Sequence, residues 1–308
     1  MMIVAIVTTA AASMIWQQWR AVQVEAAERA RAQSMWILNG ALDWGRMILR
    51  EDARAGGADH LGEPWALPLA EARLSTFLAA DAADADDGPE AFLSGHIVDA
   101  QSRYNLHNLF EGGKVLPVEV HAFTRLLESL ELDTSLAARI ATSLNAAAGI
   151  RPAADTNRGS ADAASGPQPL MPQSLAQLAW LGVDAESIER LAPYVVLLPT
   201  SSAVNLNTAP REVLMTAIDG LDAGSAERLV QTRQRTPFRS AAEATALLPQ
   251  NVKLDGRRAG VSSRYFELHG RLRLEDRILD EIWLVRRDGA NVLPLQRRQV
   301  STREVSGG

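Results

Sequence analysis

The side chains able to do acid–base, nucleophilic or metal chemistry are few and dispersed. The five histidines are His60, His96, His107, His121 and His269, and no two share the His-Glu-x-x-His spacing that sets paired imidazoles on one helical face for zinc. Cysteine is absent, which excludes thiolate nucleophiles, thiolate zinc sites and disulfide frameworks. There is no Gly-x-Ser-x-Gly elbow. Gly220-Leu221-Asp222-Ala223-Gly224 lacks both the spacing and the preceding strand of a phosphate-binding loop. His269 alternates with apolar neighbours, which puts it on the solvated face of a strand, and His107 is expected in ordinary loop contacts. The chain reads as no enzyme.

Oxygen donors for a hard cation are also sparse. Residues 79–88 form an acidic, turn-rich stretch, but Asp81, Asp84, Asp86 and Asp87 lack EF-hand order because Gly88 is displaced and Pro89 follows it. A solvated loop is the expectation there. Gly149–Gln173 is rich in Ala, Pro, Ser, Gly and Asp and reads as a long mobile loop. Asp155, Asn157 and Asp162 within it are the candidate calcium ligands, three side chains against the six to eight oxygens that calcium takes.

The most specific local run is Ala203-Val204-Asn205-Leu206-Asn207-Thr208-Ala209-Pro210-Arg211-Glu212-Val213-Leu214. It predicts a short extended segment entering a helix, with Asn207 or Thr208 as cap, Pro210 in the first turn and Glu212 complementing the dipole. A turn at Asp219-Gly220-Leu221-Asp222 leads to a second helix through Val230. Pro237-Phe238 and the capping box Ser240-Ala241-Ala242-Glu243 begin a third. Residues 203–250 thus resemble the helix-hairpin-helix modules of DNA-binding proteins. Those modules grip phosphate with backbone N–H groups, whereas Asp219 and Asp222 would repel it here. A net charge of −6 argues the same way, so no nucleic acid is expected and the module is read as a packing and protein-contact element. The alternative reading is a membrane-anchored DNA-binding protein of the competence type.

These segments need a scaffold. With 308 residues, 47% of them hydrophobic, the chain has enough apolar surface for one large or two medium cores. Met1–Trp16 carries no charge, Trp16 and Trp19 supply an interfacial belt, and helical periodicity runs on without a break to Arg50. A spanning helix needs roughly 20 apolar residues. The run is therefore expected to be the lower part of a membrane helix that begins upstream of this numbering. Ile3, Ile6, Ala10, Met14 and Trp16 are its membrane or fibre face. Ile37, Ala41, Trp44 and Ile48 form the stripe expected to pack on a sheet, widened by Met35, Leu38, Leu42 and Leu49, and Gly56-Gly57 stops the helix.

Beyond it, Phe92–Asn108 suggests short strands, Pro117–Leu144 is helical, and helices resume at Leu175–Leu181, closed by Gly182, and at Ala185–Ala192 after the N-cap Asp184. Phe266, Leu268, Gly270, Leu272 and Leu274 alternate with polar residues as a half-buried strand. Leu279–Arg287 is a second strand covered on both faces, Asp288-Gly289 a turn, and Val292–Val300 an edge strand marked by Pro294. The organisation read from this is 1–19 within the membrane, 20–56 the continuation of that helix, and 57–115 the first part of an α/β domain. An inserted α-domain occupies 116–258, and the C-terminal β-meander 259–308.

The order of the N-terminal helix, Ala41-Leu42-Asp43-Trp44, Ile97-Val98-Asp99-Ala100-Gln101-Ser102-Arg103-Tyr104-Asn105-Leu106-His107-Asn108-Leu109, Leu191-Ala192-Pro193-Tyr194-Val195, Asn205–Pro210 and Ser263-Arg264-Tyr265-Phe266 resembles one family along nearly the whole chain. That family is the K-type minor pseudopilin of the bacterial type II secretion system. The resemblance implies an α+β, pilin-like fold, with a long, partly transmembrane N-terminal helix on an antiparallel sheet and a large all-α domain inserted. It implies a single-pass inner-membrane protein with its bulk in the periplasm, at the pseudopilus tip. The implied partners are the I- and J-type minor pseudopilins, the major pseudopilin and secreted cargo, with prepilin peptidase acting on the precursor. The family's acidic, calcium-associated motif has no counterpart in Thr142-Ser143-Leu144-Asn145-Ala146-Ala147-Ala148, which contains no carboxylate.

Overall fold

A computed structural model describes residues 2–74, 91–149, 170–274 and 277–304. Asp81, Asp84, Asp86 and Asp87, and the calcium candidates Asp155, Asn157 and Asp162, lie outside the described residues.

Helix α1 runs from Met2 to Ala55 without interruption, 54 residues and about 80 Å at 1.5 Å per residue. No proline breaks it, and it stops where Gly56 takes φ +67 and its N–H donates to the Asp52 carbonyl. Its two ends meet different surroundings. The apolar 18-residue window near the N-terminus has none of its residues buried, while Ser34, Leu38, Leu42, Gly45 and Leu49 are buried.

That buried stripe lies on an antiparallel sheet with strand order β1-β2-β9-β10-β11. The strands are β1 (Leu69–Arg73), β2 (Ala91–Asp99), β9 (Tyr265–Leu274), β10 (Arg277–Asp288) and β11 (Asn291–Glu304). The alternation expected of β9 is present. Phe266, Leu268, Leu272 and Leu274 pack with Leu38, Leu42, Leu49, Leu93, Val285 and Val292 in two adjoining clusters under α1. β10 is covered on both faces at one end, because Val285 joins this core and Leu284 joins Ala100, Val196, Leu198 and Tyr265 on the opposite side. β11 is an edge strand, as Pro294 indicates. Its register skips Leu295 and Val300, two bulges that together with the proline blunt the open edge.

The helix-to-sheet stripe needs correction. Its centre is Leu38, Leu42, Gly45 and Leu49, one residue on from the expected Ile37, Ala41, Trp44 and Ile48. Ile37 and Ala41 flank the core and Ile48 packs at its margin, but Trp44 remains 43% exposed. The cause is steric. The helix comes closest to the sheet at Gly45, where an added Cβ would stand 2.7 Å from Leu268 Cδ2, so the contact is built around a residue with no side chain.

Between β2 and β9 the chain forms a separate helical block. It contains the helices Pro117–Ser129, Ser135–Ala147, Ala185–Leu191, Arg211–Ala217, Ala223–Arg235 and Ala241–Thr245, with a 3-10 helix at Leu175–Leu181 that Gly182 closes at φ +77. Asp184 caps its helix as expected, accepting from Ser187 N–H at 2.8 Å. The expected boundary near residue 116 is too late. Tyr104, Leu106, Leu109 and Phe110 share one core with Phe123, Leu127, Ile140 and Leu214. They are drawn into the block by short pairings: β3 (Tyr104–Asn105) runs parallel to β6 (Val195–Val196), while β4 (Phe110–Glu111) pairs with β5 (Lys114–Val115). A third two-residue pairing, β7 (Val204–Asn205) with β8 (Ala259–Gly260), closes the block where it began.

Two glycine substitutions on α1 should act in opposite directions. Gly45→Leu forces an overfilled contact against Leu268 and should destabilise by about 1–3 kcal/mol. Gly40→Ala, whose Cβ would meet nothing within 4 Å, should stabilise by about 0.5–1 kcal/mol through helix propensity alone. Denaturant unfolding of the detergent-solubilised chain measures both. Equal effects would show that the helix does not sit on the sheet at Gly45.

Candidate functional site

The segments quoted from the sequence converge where the helical block joins the sheet. Asp99 ends β2 and is only 2% exposed. One carboxylate oxygen accepts from the Gln101 N–H at 2.8 Å and so caps the following 3-10 turn. The other accepts from Asn205 Nδ2 at 2.9 Å, Thr208 Oγ1 at 2.6 Å and Ser263 Oγ at 2.7 Å. Burial pushes the Asp99 carboxyl above its usual range, and these four donors oppose the shift. A group this expensive to bury is tolerated only when its lone pairs are filled. The donors come from β7, from the loop after it and from the entry to β9, so the carboxylate pins the start and end of the insertion to the sheet.

A second ionic cluster ties this junction to α1. Arg287 of β10 donates to Asp52 in the last turn of α1 and to Asp59, both at 2.5 Å, and to the Ser263 carbonyl at 2.8 Å. Its guanidinium lies over the Phe266 ring, 4.7 Å from the centroid. Asp59 also accepts from the Ser263 N–H at 2.6 Å, and its own carbonyl accepts from Asn205 Nδ2 at 3.1 Å. Burial raises the Asp59 carboxyl, and burial with the neighbouring Glu63 charge raises that of Asp52. Asp52, Asp59 and Glu63 bring ligand-capable oxygens within 4.8 Å of one another, but the chain's own Arg287 meets that charge.

Asparagine amides bracket the rest of the junction. Asn105 accepts from the Leu198 N–H and donates to the Thr200 carbonyl, while Asn108 both donates to the Ser202 carbonyl and accepts from its N–H. Asn207 does the same to Phe238, at 2.9 Å in each direction. A side-chain amide matches a peptide group donor for acceptor, so each asparagine replaces a strand partner where no strand is present.

These roles correct the capping expected for the 203–250 module. Neither Asn207 nor Thr208 caps; Pro210 is the residue before the helix, which begins at Arg211. Ser240 makes no cap bond, and Glu243 accepts from the Arg239 N–H instead. In the hairpin, Asp219 pairs with Arg125 of the helix Pro117–Ser129 at 2.8 Å, and Asp222 caps the next helix through Ser225. Both carboxylates are thus committed to packing within the block.

Two of the five histidines meet. His107 tilts against Phe110, with burial lowering its pKa, while His96 and His269 stack across β2 and β9 with ring centroids 4.5 Å apart. Beside them, Glu267 pairs with Arg103 at 2.7 Å and joins the sheet's open face to the root of the block. Burial opposes ionisation of Glu267, but His269 and Arg103 overcome it and hold the carboxyl at about 2. Ile3, Ile6, Met14 and Trp16 are 58–77% exposed, and Ala10 is exposed with them.

Sequence reasoning marked Asn205 and the Ser263 segment but not Asp59, Asp99 or Arg287 as their partners. The available signal was a run of amide and hydroxyl residues, Asn205, Asn207 and Thr208, set among apolar ones with no solvent-facing alternation.

Comparison with known proteins points one way. Residues 204–262 match the family model described as type II secretion system protein K, and residues 102–200 match a second model of the same description. The type II secretion system protein K of Pseudomonas aeruginosa is 30% identical over 299 residues, covering 90% of this chain and 83% of its own. That of Pectobacterium carotovorum is 26% identical, covering 99% and 96%. Among solved structures, the GspK-GspI-GspJ complex from the type 2 secretion system of enterotoxigenic Escherichia coli contains a chain of the same fold. Its TM-score is 0.63 at 20% identity, with 89% of this chain and 98% of that one covered.

The junction makes two outcomes measurable. Asp99→Ala strands three buried side-chain donors and should cost about 3–5 kcal/mol, whereas Asn207→Ala, which unpairs one peptide group, should cost about 1–3 kcal/mol. Glu267 has a folded-state pKa below its ordinary 4.5, so its contribution is complete above that value and is lost as pH falls toward about 2. The stability gap between the native chain and Glu267→Gln, followed by urea unfolding, should therefore close across that acid window.

Proposed function

The chain belongs to the type II secretion system protein K family, and from that premise we propose that it is a minor pseudopilin at the tip of the periplasmic pseudopilus. It assembles there with the I- and J-type minor pseudopilins and starts or caps the fibre. It is a single-pass protein of the inner membrane before assembly, with its bulk in the periplasm. Its role is structural, and secreted cargo meets it as a surface.

The observation that carries this reading is the division of one uninterrupted helix between two environments. The first part of α1 is apolar and wholly uncovered, suited to lipid and afterwards to like helices in a fibre. Ala5, Ala10, Ala11, Ala12 and Ser13 allow helices to approach closely in that setting. The last part is packed on the chain's own sheet. The helical block is fastened beside Asp52 and Asp59, at the end of α1 farthest from the apolar part. A block of this size at that end leaves no room for a subunit stacked above it, so further subunits add from below.

Co-purification of the detergent-solubilised full chain with the I- and J-type minor pseudopilins of its own system is expected to yield a three-component complex. Replacing the whole block, residues 103–260, by a short linker in an Asp99→Ala background, so that no core residue or buried carboxylate is left without its partners, should keep membrane insertion while changing fibre length and blocking secretion. Failure of the three proteins to associate, or normal fibres and secretion after the replacement, would overturn the assignment.

A further inference from the structure

The joint between α1 and the head gathers three carboxylates around one cation. Asp52 lies in the last turn of α1, and Asp59 and Glu63 lie in the loop that follows Gly56-Gly57. Their oxygens stand within 4.8 Å of one another. Arg287 of β10 reaches Asp52 and Asp59, both at 2.5 Å, and among the described residues Glu63 pairs with no arginine. The carboxylates are also fixed in place. Glu63 accepts from the His60 N–H at 2.9 Å and from Trp65 Nε1 at 2.7 Å, and Asp59 accepts from the Ser263 N–H at 2.6 Å. The Asp52 and Asp59 side chains are only 11% and 4% exposed, so water does little to screen them. Three fixed like charges facing one guanidinium leave an excess that a single proton relieves. We propose that Asp52 and Glu63 share one proton and that this proton makes the joint a pH-operated latch, closed while the proton is held and loosened when it leaves.

The neighbouring charges leave the proton to this pair. Arg264 and Arg286 are engaged by Asp288 and Arg54 by Glu51, while His60 turns its Nδ1 to the Gly62 N–H. Burial and the adjacent Glu63 charge push the Asp52 carboxyl above its ordinary range, against the pull of Arg287. Burial raises Asp59 as well, but there the Ser263 N–H and Arg287 oppose it. A cleft of about 220 Å³ bordered by Asp52, Asp59, Glu63 and Arg287 admits water for proton exchange. Gly56 and Gly57 take φ of +67 and +124, and no atom lies within 4 Å of a Cβ placed on either. The link from α1 to the loop is therefore free to bend when Asp52 and Glu63 repel. Trp65, bonded to Glu63 and edge-on to Phe266 with centroids 5.3 Å apart, passes any shift of the loop into the core under α1. The latch needs no partner subunit, so it is independent of the assembly proposed above.

Urea unfolding of the detergent-solubilised full chain across the acid-to-alkaline range, with a chelator present so that no cation supplies the missing charge, tests the latch. A carboxyl raised on folding contributes fully below its unfolded value of 3.8 and loses that contribution as pH rises through its folded value. Asp52→Asn fixes the neutral form, with its amide donating to Glu63 and its oxygen accepting from Arg287. Its urea midpoint should match that of the native chain near the ordinary carboxylate value and exceed it at mildly alkaline pH. Glu63→Gln should do the same, and Asp43→Asn, in an exposed pair with Arg46, should show no such gain. A simple buried ion pair would give the opposite sign, because loss of the Asp52 charge would then cost most at alkaline pH. If neither Asp52→Asn nor Glu63→Gln exceeds the native midpoint at alkaline pH, or if the gain there is no larger than in acid, the latch is overturned.

Discussion

Burial of the Asp99 carboxylate is the constraint on which the rest of the architecture leans. An ionisable group withdrawn this far from water costs several kcal/mol unless its oxygens are filled by donors. Here the donors come from sequence positions 101, 205, 208 and 263, so the bonds form only when both ends of a long insertion have returned to the end of β2. The same condition brings Ser263 against Asp59 and Arg287 against Asp52, which sets the last turn of α1 in place. One local requirement therefore orients three bodies: the long helix, the sheet and the helical block.

That orientation explains how a helix this long can carry a head. About half of α1 has no cover from its own chain, and an isolated helix gains little rigidity from propensity alone. Stiffness comes from the packed end, where Leu38, Leu42 and Leu49 lie on β9 and β10 around the side-chain-free contact at Gly45. Arg46, on the outer shoulder of that contact, donates to the Val292 carbonyl and ties the helix to the start of β11. Force applied along the apolar half would pass into the sheet through these contacts and into the block through Asp52, Asp59 and Arg287.

Legibility followed the range of the interactions. Helix starts and stops with local causes were readable: the Asp184 cap, the Gly182 and Gly56 terminations, and the edge placement implied by Pro294. So was the alternation of β9, because one face of the strand meets the core at every second residue. The stripe on α1 was displaced by one residue because apolar content, not closeness of approach, is what periodicity records. A glycine at the tightest contact is invisible to it. The roles assigned to Asn207, Thr208 and Ser240 failed for a related reason. Each residue type is competent to cap a helix locally, and in Asn207 and Thr208 a distant partner took the side chain instead.

By itself, the amino-acid sequence determined a long helix apolar in its first part and amphipathic in its last, a C-terminal meander, an intervening helical block and the family to which all three belong. Each of these depends on composition or on periods of a few residues, which a chain carries wherever it folds. Only the tertiary structure decided where the block begins, which amide answers which peptide group, and that Asp99, Asp59 and Arg287 meet at one junction. Those pairings join residues from 31 to 235 positions apart, and their energies depend on exclusion of water from a space that exists only once the chain has closed around it.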